Sequence, residues 1–179
     1  MAALAAALAA ALVAKLVSSS AASAVPTIST ENSRVLHRRP PRMSTNRPLG
    51  SLSWNGTSAQ LRRIRRECLR LVQRDAVTFA RVMTAIRTNN RQAFQRTLRS
   101  ATDVPCRIVE HAQTIRAICR KAAHAIRPQF HSDLTCAKAL AAAAEQGARA
   151  LINTNLVWMN HQAYTRAIRR RLRATERRR

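Results

Sequence analysis

Acidic residues are scarce in this chain. Of 179 residues only 8 are Asp or Glu, against 32 Lys and Arg, giving a formal net charge of +24 and a pI near 12.0. So few carboxylates leave little material for paired acid–base chemistry. Lysine is nearly absent too: Lys15, Lys121 and Lys138 stand against 29 arginines. Glycine (3) and proline (6) reach about half their ordinary share, and aromatics make up 3%. Few breakers and few strand-favouring rings exclude a sheet protein and a Rossmann-type nucleotide binder. No C-x-x-C pair occurs. Cys68, Cys106, Cys119 and Cys136 are 38, 13 and 17 residues apart, and the five histidines do not fall at zinc spacings from them. Each Cys sits among apolar residues, as a small hydrophobe in a reducing or thiol-tolerant compartment, so neither metal nor cofactor is expected. P-loop, G-x-S-x-G and H-E-x-x-H motifs are missing as well.

What is present is 46% hydrophobic residues, too many for a disordered basic tail. The length suits one domain spanning 1–179 with a real core. The expected class is all-α: a bundle of about five to six helices, an extended N-terminal linker and a basic C-terminal helix. The charge makes the surface attractive to polyanions. Arginine sharpens that, since guanidinium forks onto phosphate and stacks on bases. A coding bias toward Arg explains the Arg-to-Lys ratio but not the missing acids.

Segment 1–24 opens with an Ala/Leu/Val run (2–17) of strong helix formers. It lacks the basic start of a secretory signal and the early Arg of a transit peptide, although Ala22-Ser23-Ala24 resembles a cleavage site. It is too short to span a bilayer, and Lys15 interrupts it. A helix packed in the core is expected. Segment 25–56 carries Pro26, Pro40, Pro41 and Pro48 among arginines and ends at Asn55-Gly56, which excludes a long regular element. It reads as an extended stretch that orders on a partner or remains a basic linker.

A helical core over 57–168 follows. Thr57 or Ser58 is the expected N-cap, with Leu61, Ile64, Cys68, Val72, Ala76, Phe79, Met83 and Ile86 as its apolar stripe. Asn89-Asn90 breaks it, and a short helix over 91–100 turns Ala93, Phe94 and Leu98 inward. Thr102-Asp103-Val104-Pro105 reads as a fresh start, with Ile108, Ala112, Ile115, Cys119, Ala122 and Ile126 buried and Pro128 as its end. Ser132-Asp133 is the expected cap of a helix over 133–156, whose Ala-rich centre allows close contact. Asn160 is the expected cap of the last helix, with Ala163, Tyr164, Ala167, Ile168 and Leu172 apolar. The tail 169–179 is cationic all round and should project.

Residues 101–156 resemble the cyclodeaminase/cyclohydrolase family, the C-terminal domain of formiminotransferase-cyclodeaminase. The resemblance rests on Val104-Pro105, Arg127-Pro128-Gln129, Ser132-Asp133-Leu134-Thr135, Gly147 and Asn155-Leu156 in gapless series. Upstream it includes Asp75-Ala76, Phe79 and Val82-Met83, and the N-terminal Ala-rich stretch is similar to the family's first helix. It implies the all-α fold, folate chemistry, and a homodimer or paralogue dimer. Departures are also visible. The family's Pro-Gly-Gly-Gly-Ser loop, an anion-binding feature ahead of a helix, has no counterpart before Ala2. The Ala-Gly after Ser-Asp is Leu134-Thr135, the family's Arg before Asn-Leu is Asn153, and the Gly before the turn is Ile126. Asp133 is read as a cap rather than a catalytic acid, and His111, His124 and His131 as structural or solvent-facing.

Taken together, these departures and the charge lead to an expectation of a non-catalytic, non-enzyme protein. It would be an RNA-binding, rRNA-binding ribosomal component of a mitochondrion, a ribonucleoprotein subunit on a repurposed fold. Its RNA contacts would be Arg38, Arg39, Arg42, Arg47, Arg62, Arg63, Arg65, Arg66, Arg169, Arg170, Arg171, Arg173, Arg177, Arg178 and Arg179, with RNA and neighbouring subunits as partners and no membrane favoured. The alternatives are a folate-dependent cyclohydrolase or cyclodeaminase, and a membrane-associated basic protein.

Overall fold

A computed structural model describes residues 54–176 together with Ala3, Ala6, Ala7 and Ala11. Among the described residues the protein is all-α. Helices α1 (Trp54–Arg87), α2 (Arg91–Ala122), α3 (His131–Val157) and α4 (Gln162–Glu176) are joined by short connections, with a 3₁₀ turn at Pro128–Phe130. Among residues 54–176 four helices stand where five to six were expected for the chain, because the expected break at Thr102-Asp103 is no break. Helix α1 already runs at Trp54, ahead of the expected Thr57–Ser58 start. Helix α2 passes through Pro105 without interruption. Proline there forfeits the N–H bond to Ala101 and costs about 3 kcal/mol. Its neighbours Thr102, Val104, Cys106, Ile108 and Val109 are all buried, which holds the helix through the defect, and the Thr102 hydroxyl donates to the Leu98 carbonyl at 2.8 Å.

Asn89-Asn90 ends α1 as the sequence suggests. Asn89 adopts φ 51°, and the Asn90 amide donates to the Ala85 carbonyl five residues back, closing the helix with a left-handed cap. The Asn90 side chain then accepts from the Ala93 amide at 2.9 Å and opens α2. This pair of asparagines makes α1 and α2 an antiparallel hairpin. At the next two starts the expected caps are replaced. Helix α3 begins at His131 behind Phe130, which makes no side-chain cap bond, so Asp133 lies within the first turn. Helix α4 is capped by His161, whose Nδ1 accepts from the Tyr164 amide at 3.1 Å.

Helix α2 is the centre of the bundle, and α1, α3 and α4 all pack on it. Its buried face (Ile108, Ala112, Ile115, Cys119, Ala122) meets Leu134, Ala137, Ala141, Ala144, Ala148 and Ile152 of α3, where alanines bring the two helices close. Ala3, Ala6 and Ala7 are helical and join the same core, while the rest of the N-terminal run apart from Ala11 lies outside the described residues. The segment 25–53 lies outside the described residues.

The α1 stripe is half corrected. Leu61, Ile64 and Cys68 are buried, and the burial then continues through Leu71, Thr78 and Ala85, while Val72, Phe79, Met83 and Ile86 are exposed. Steps of three and four carry the buried line from Cys68 to Leu71. The expected stripe instead steps four twice, which rotates it by about 100° onto an adjacent face. On α4, Tyr164, Ile168 and Leu172 pack on the core, whereas Ala163 and Ala167 face solvent.

Candidate functional site

Where α1 ends, α2 begins and α3 ends, the three helices frame a cleft of about 730 Å³. Phe79, Val82, Met83 and Ile86 of α1 form one wall, Phe94 and Leu98 of α2 the floor, and Trp158 at the end of α3 the opposite side. Asn89, Asn90, Thr154 and Asn155 supply polar rims, and Arg91 the charge in the lining. The lining is apolar and aromatic, with a few convergent polar groups, as in small-molecule sites of this size. Trp158 is held by a side chain that imitates a backbone strand. Gln95 Nε2 donates to the Trp158 carbonyl at 3.0 Å, and the Asn160 amide donates to Gln95 Oε1 at 3.0 Å. Rings on several sides and amides at the rim suit a flat, hydrogen-bonding heterocycle, and the Arg91 guanidinium suits a carboxylate on the same ligand.

Two polar clusters support the frame from behind. Glu145, 2% exposed in the Ala-rich part of α3, accepts from Gln113 Nε2 at 3.1 Å, Arg116 Nη1 at 2.5 Å and Arg149 Nε at 3.2 Å. Arg149 also pairs with Glu176 of α4 at 2.9 Å. On the other flank, the Tyr164 hydroxyl donates to the Arg99 carbonyl at 3.1 Å and to Asp103 Oδ1 at 3.3 Å, and the Arg99 guanidinium lies 5.7 Å from its ring. Burial, with the Asp103 carboxylate beside it, raises this phenol above its usual range. Burial likewise pushes the Cys68, Cys106 and Cys119 thiols up to about 11, while Cys136 is exposed. No group of His, Cys, Asp and Glu suited to a metal occurs among the described residues. None of the helices described is long and apolar enough to cross a membrane.

The arginines singled out in the sequence lie away from this cleft. Arg62, Arg63, Arg65 and Arg66 are exposed on the first half of α1, and Arg62 Nη1 donates to Ser58 Oγ at 2.6 Å. Arg169, Arg170 and Arg173 are exposed on α4. Arg171 instead turns inward to Glu110 at 2.7 Å, a bond that raises its pKa further. Arg38, Arg39, Arg42, Arg47, Arg177, Arg178 and Arg179 lie outside the described residues. Asp133 is half-buried and His124 and His131 are exposed, whereas His111 Nε2 lies 3.3 Å from Glu67. The cleft went unread in the sequence, although its signal was there: Phe79, Met83 and Ile86 stand one position off the buried line, and Trp158 follows the last core leucine.

An antiparallel helical bundle with an aromatic, amide-rimmed cleft of small-molecule size defines the class of this all-α protein. The model of the formiminotransferase-cyclodeaminase family matches residues 42–174, and the chain belongs to that family. The fold is similar to the crystal structure of formiminotetrahydrofolate cyclodeaminase from Thermotoga maritima, with a TM-score of 0.77 at 16% identity. The match covers 98% of this chain and 77% of that one. No curated protein matches it. Four residues of the resemblance, Phe79, Val82 and Met83 from one stretch and Asn155 from another, line the same cleft.

These findings overturn the expectation of a non-catalytic ribosomal, RNA-binding, mitochondrial ribonucleoprotein component, and with it the non-enzyme assignment. The physical reason lies in what charge can decide. A net charge of +24 raises affinity for any polyanion and selects no partner, whereas the family match over residues 42–174 and the common fold place the chain among the cyclodeaminase-like proteins.

Proposed function

We propose that the chain is a folate-dependent cyclodeaminase or cyclohydrolase that binds a reduced folate in the α1–α2–α3 cleft. One observation carries this reading: two separate stretches that resemble the folate family converge on one aromatic cleft of ligand size. The pterin ring would stack among Phe79, Phe94 and Trp158, with its amide edge toward Asn89, Asn90 and Asn155. The glutamyl carboxylate would lie toward Arg91.

Cyclodeamination of a formimino group is an intramolecular ring closure. The aryl amine nitrogen attacks the formimino carbon, and the new C–N bond forms as that amine gives up its proton. The formimino nitrogen, which enters the step already protonated as an amidinium, gains that proton and leaves as ammonia, and the positive charge stays on the cyclic methenyl product. A rigid apolar slot contributes chiefly by holding the two nitrogens in the attacking geometry, which can supply several kcal/mol of the barrier reduction. The test is ammonia release, and growth of the cyclic product's absorbance, from formiminotetrahydrofolate with pure protein. Phe79→Ala and Asn155→Ala should each weaken folate binding about tenfold or more. A pure, folded protein that neither binds reduced folates nor releases ammonia would refute the assignment.

A further inference from the structure

On the flank of the α1–α2 hairpin opposite the cleft, the two helices frame a small cavity of about 120 Å³, lined by Thr78 and Arg81 of α1 and Arg96, Thr97 and Ser100 of α2. The antiparallel hairpin sets these residues at one level, since Arg81 and Arg96 stand eight and seven residues from Asn89. Neither guanidinium makes a hydrogen bond or ion pair with any described residue, and neither does the Ser100 hydroxyl. Among the described residues no carboxylate lines the cavity. Two like charges and a free hydroxyl thus share one pocket without a counter-charge, an arrangement that a bound anion relieves.

The cavity continues into a groove of about 480 Å³, with Arg81 and Thr97 lining both. Val77, Ala80, Ala85 and Ala93 give the groove an apolar lining. Its threonines add little polarity, because the Thr84, Thr88 and Thr97 hydroxyls donate to the carbonyls of Ala80, Thr84 and Ala93 at 3.0, 3.0 and 2.9 Å. From Val77 to Thr88 the groove runs about 16 Å toward the hairpin turn at 1.5 Å per residue. A charged pocket that opens onto an apolar groove fits a ligand with an anionic head and an apolar body.

We propose that this site binds a phosphate monoester of a medium-length apolar alcohol, with the phosphate between Arg81 and Arg96 and the chain along the groove. Charge and donor count select the head. Two guanidiniums balance a phosphate dianion and fork onto its oxygens, while the Ser100 hydroxyl donates to a third. A carboxylate has only two oxygens and would leave one cation over. Volume selects the body: the cavity alone is below the roughly 300–1,000 Å³ of complete small-molecule sites, and cavity and groove together fall within that range.

The site is separate from the cleft. Val77 and Ile86 are nine residues apart on α1, as are Arg91 and Ser100 on α2. At about 100° per residue each pair therefore faces opposite sides of its helix. Val77 and Ser100 lie at this site and Ile86 and Arg91 at the cleft, and among the described residues Ala85 alone lines both. The proposal stands independently of the folate reading.

Isothermal titration of the full chain with decyl phosphate, below its micelle concentration and in moderate salt, should show one site per chain. Inorganic phosphate should bind about tenfold more weakly for want of the chain, and decanoate about tenfold more weakly for want of the second charge. R81A/R96A should weaken decyl phosphate binding by about tenfold or more with helical content unchanged, since both side chains are exposed. R65A/R169A removes the same charge from exposed positions elsewhere and should leave binding intact. A80W should obstruct the groove, weakening decyl phosphate while sparing inorganic phosphate. Absence of decyl phosphate binding, or equal losses in R81A/R96A and R65A/R169A, would overturn the proposal, the latter by reducing the effect to net charge. Decanoate binding as tightly as decyl phosphate, or decyl phosphate indifferent to A80W, would overturn it as well.

Discussion

Replacing Glu145 with alanine removes the acceptor at the centre of the α2–α3 contact. The carboxylate is 2% exposed and takes bonds from Gln113, Arg116 and Arg149. Breaking a buried pair on one side costs about 3–5 kcal/mol, because the other charge is left uncompensated. Here the orphaned guanidiniums are not fully enclosed: Arg116 is 32% exposed and Arg149 21%, and Arg149 keeps Glu176. Both can turn partly toward water, so the lower end applies, about 3 kcal/mol. At roughly 2–4 °C per kcal/mol for a domain of this size, the melting temperature should fall by about 6–12 °C. The measurement is equilibrium urea unfolding followed by circular dichroism, in low and in high salt. Most of the loss should survive high salt, because the carboxylate is shielded from ions by protein. By contrast Arg107→Ala should cost under about 0.5 kcal/mol, since that guanidinium is 57% exposed and 3.9 Å from Glu110. An E145A protein within about 0.5 kcal/mol of wild type would refute the claim that this network ties α3 to α2.

Thiol chemistry should separate the four cysteines: Cys136 labels rapidly in the native protein, while Cys68, Cys106 and Cys119 label only on unfolding. Because burial raises these three from 9.0 to about 11, their stabilising contribution is complete below about pH 9 and is lost as pH rises through 11. A shift of this size is worth on the order of 2–3 kcal/mol per thiol, so a urea midpoint flat from pH 8 to 11 would contradict it. Gln95→Ala should free the Trp158–Asn160 turn at a cost of about 1–2 kcal/mol, seen as a red-shifted or quenched tryptophan emission and weaker ligand binding. Trp158→Ala should leave stability nearly unchanged, because the ring is 64% exposed, yet lower folate affinity by about tenfold in a titration.

The sequence alone determined that this chain is helical, where its hairpin turns, and which face of α2 is buried. Helix formers spaced at three and four, punctuated by Asn89-Asn90 and Pro128, leave the backbone few alternatives, and these are local properties. The Ala-rich core of α3 was legible for the same reason. Tertiary contacts decided the rest. Pro105 carries the local signature of a helix start, and only the burial of residues on both sides keeps α2 continuous through it. Glu145 carries no signal in the alanine run, because its role depends on Arg116 of α2, which only the tertiary structure brings within 2.5 Å. Helix α1 carries two apolar lines one position apart, and its periodicity fits both. Packing on α2 selected the line through Leu71, Thr78 and Ala85, which left Phe79, Met83 and Ile86 outside to wall the cleft. Periodicity fixes which residues share a face, but a face becomes core or site only through what is packed against it.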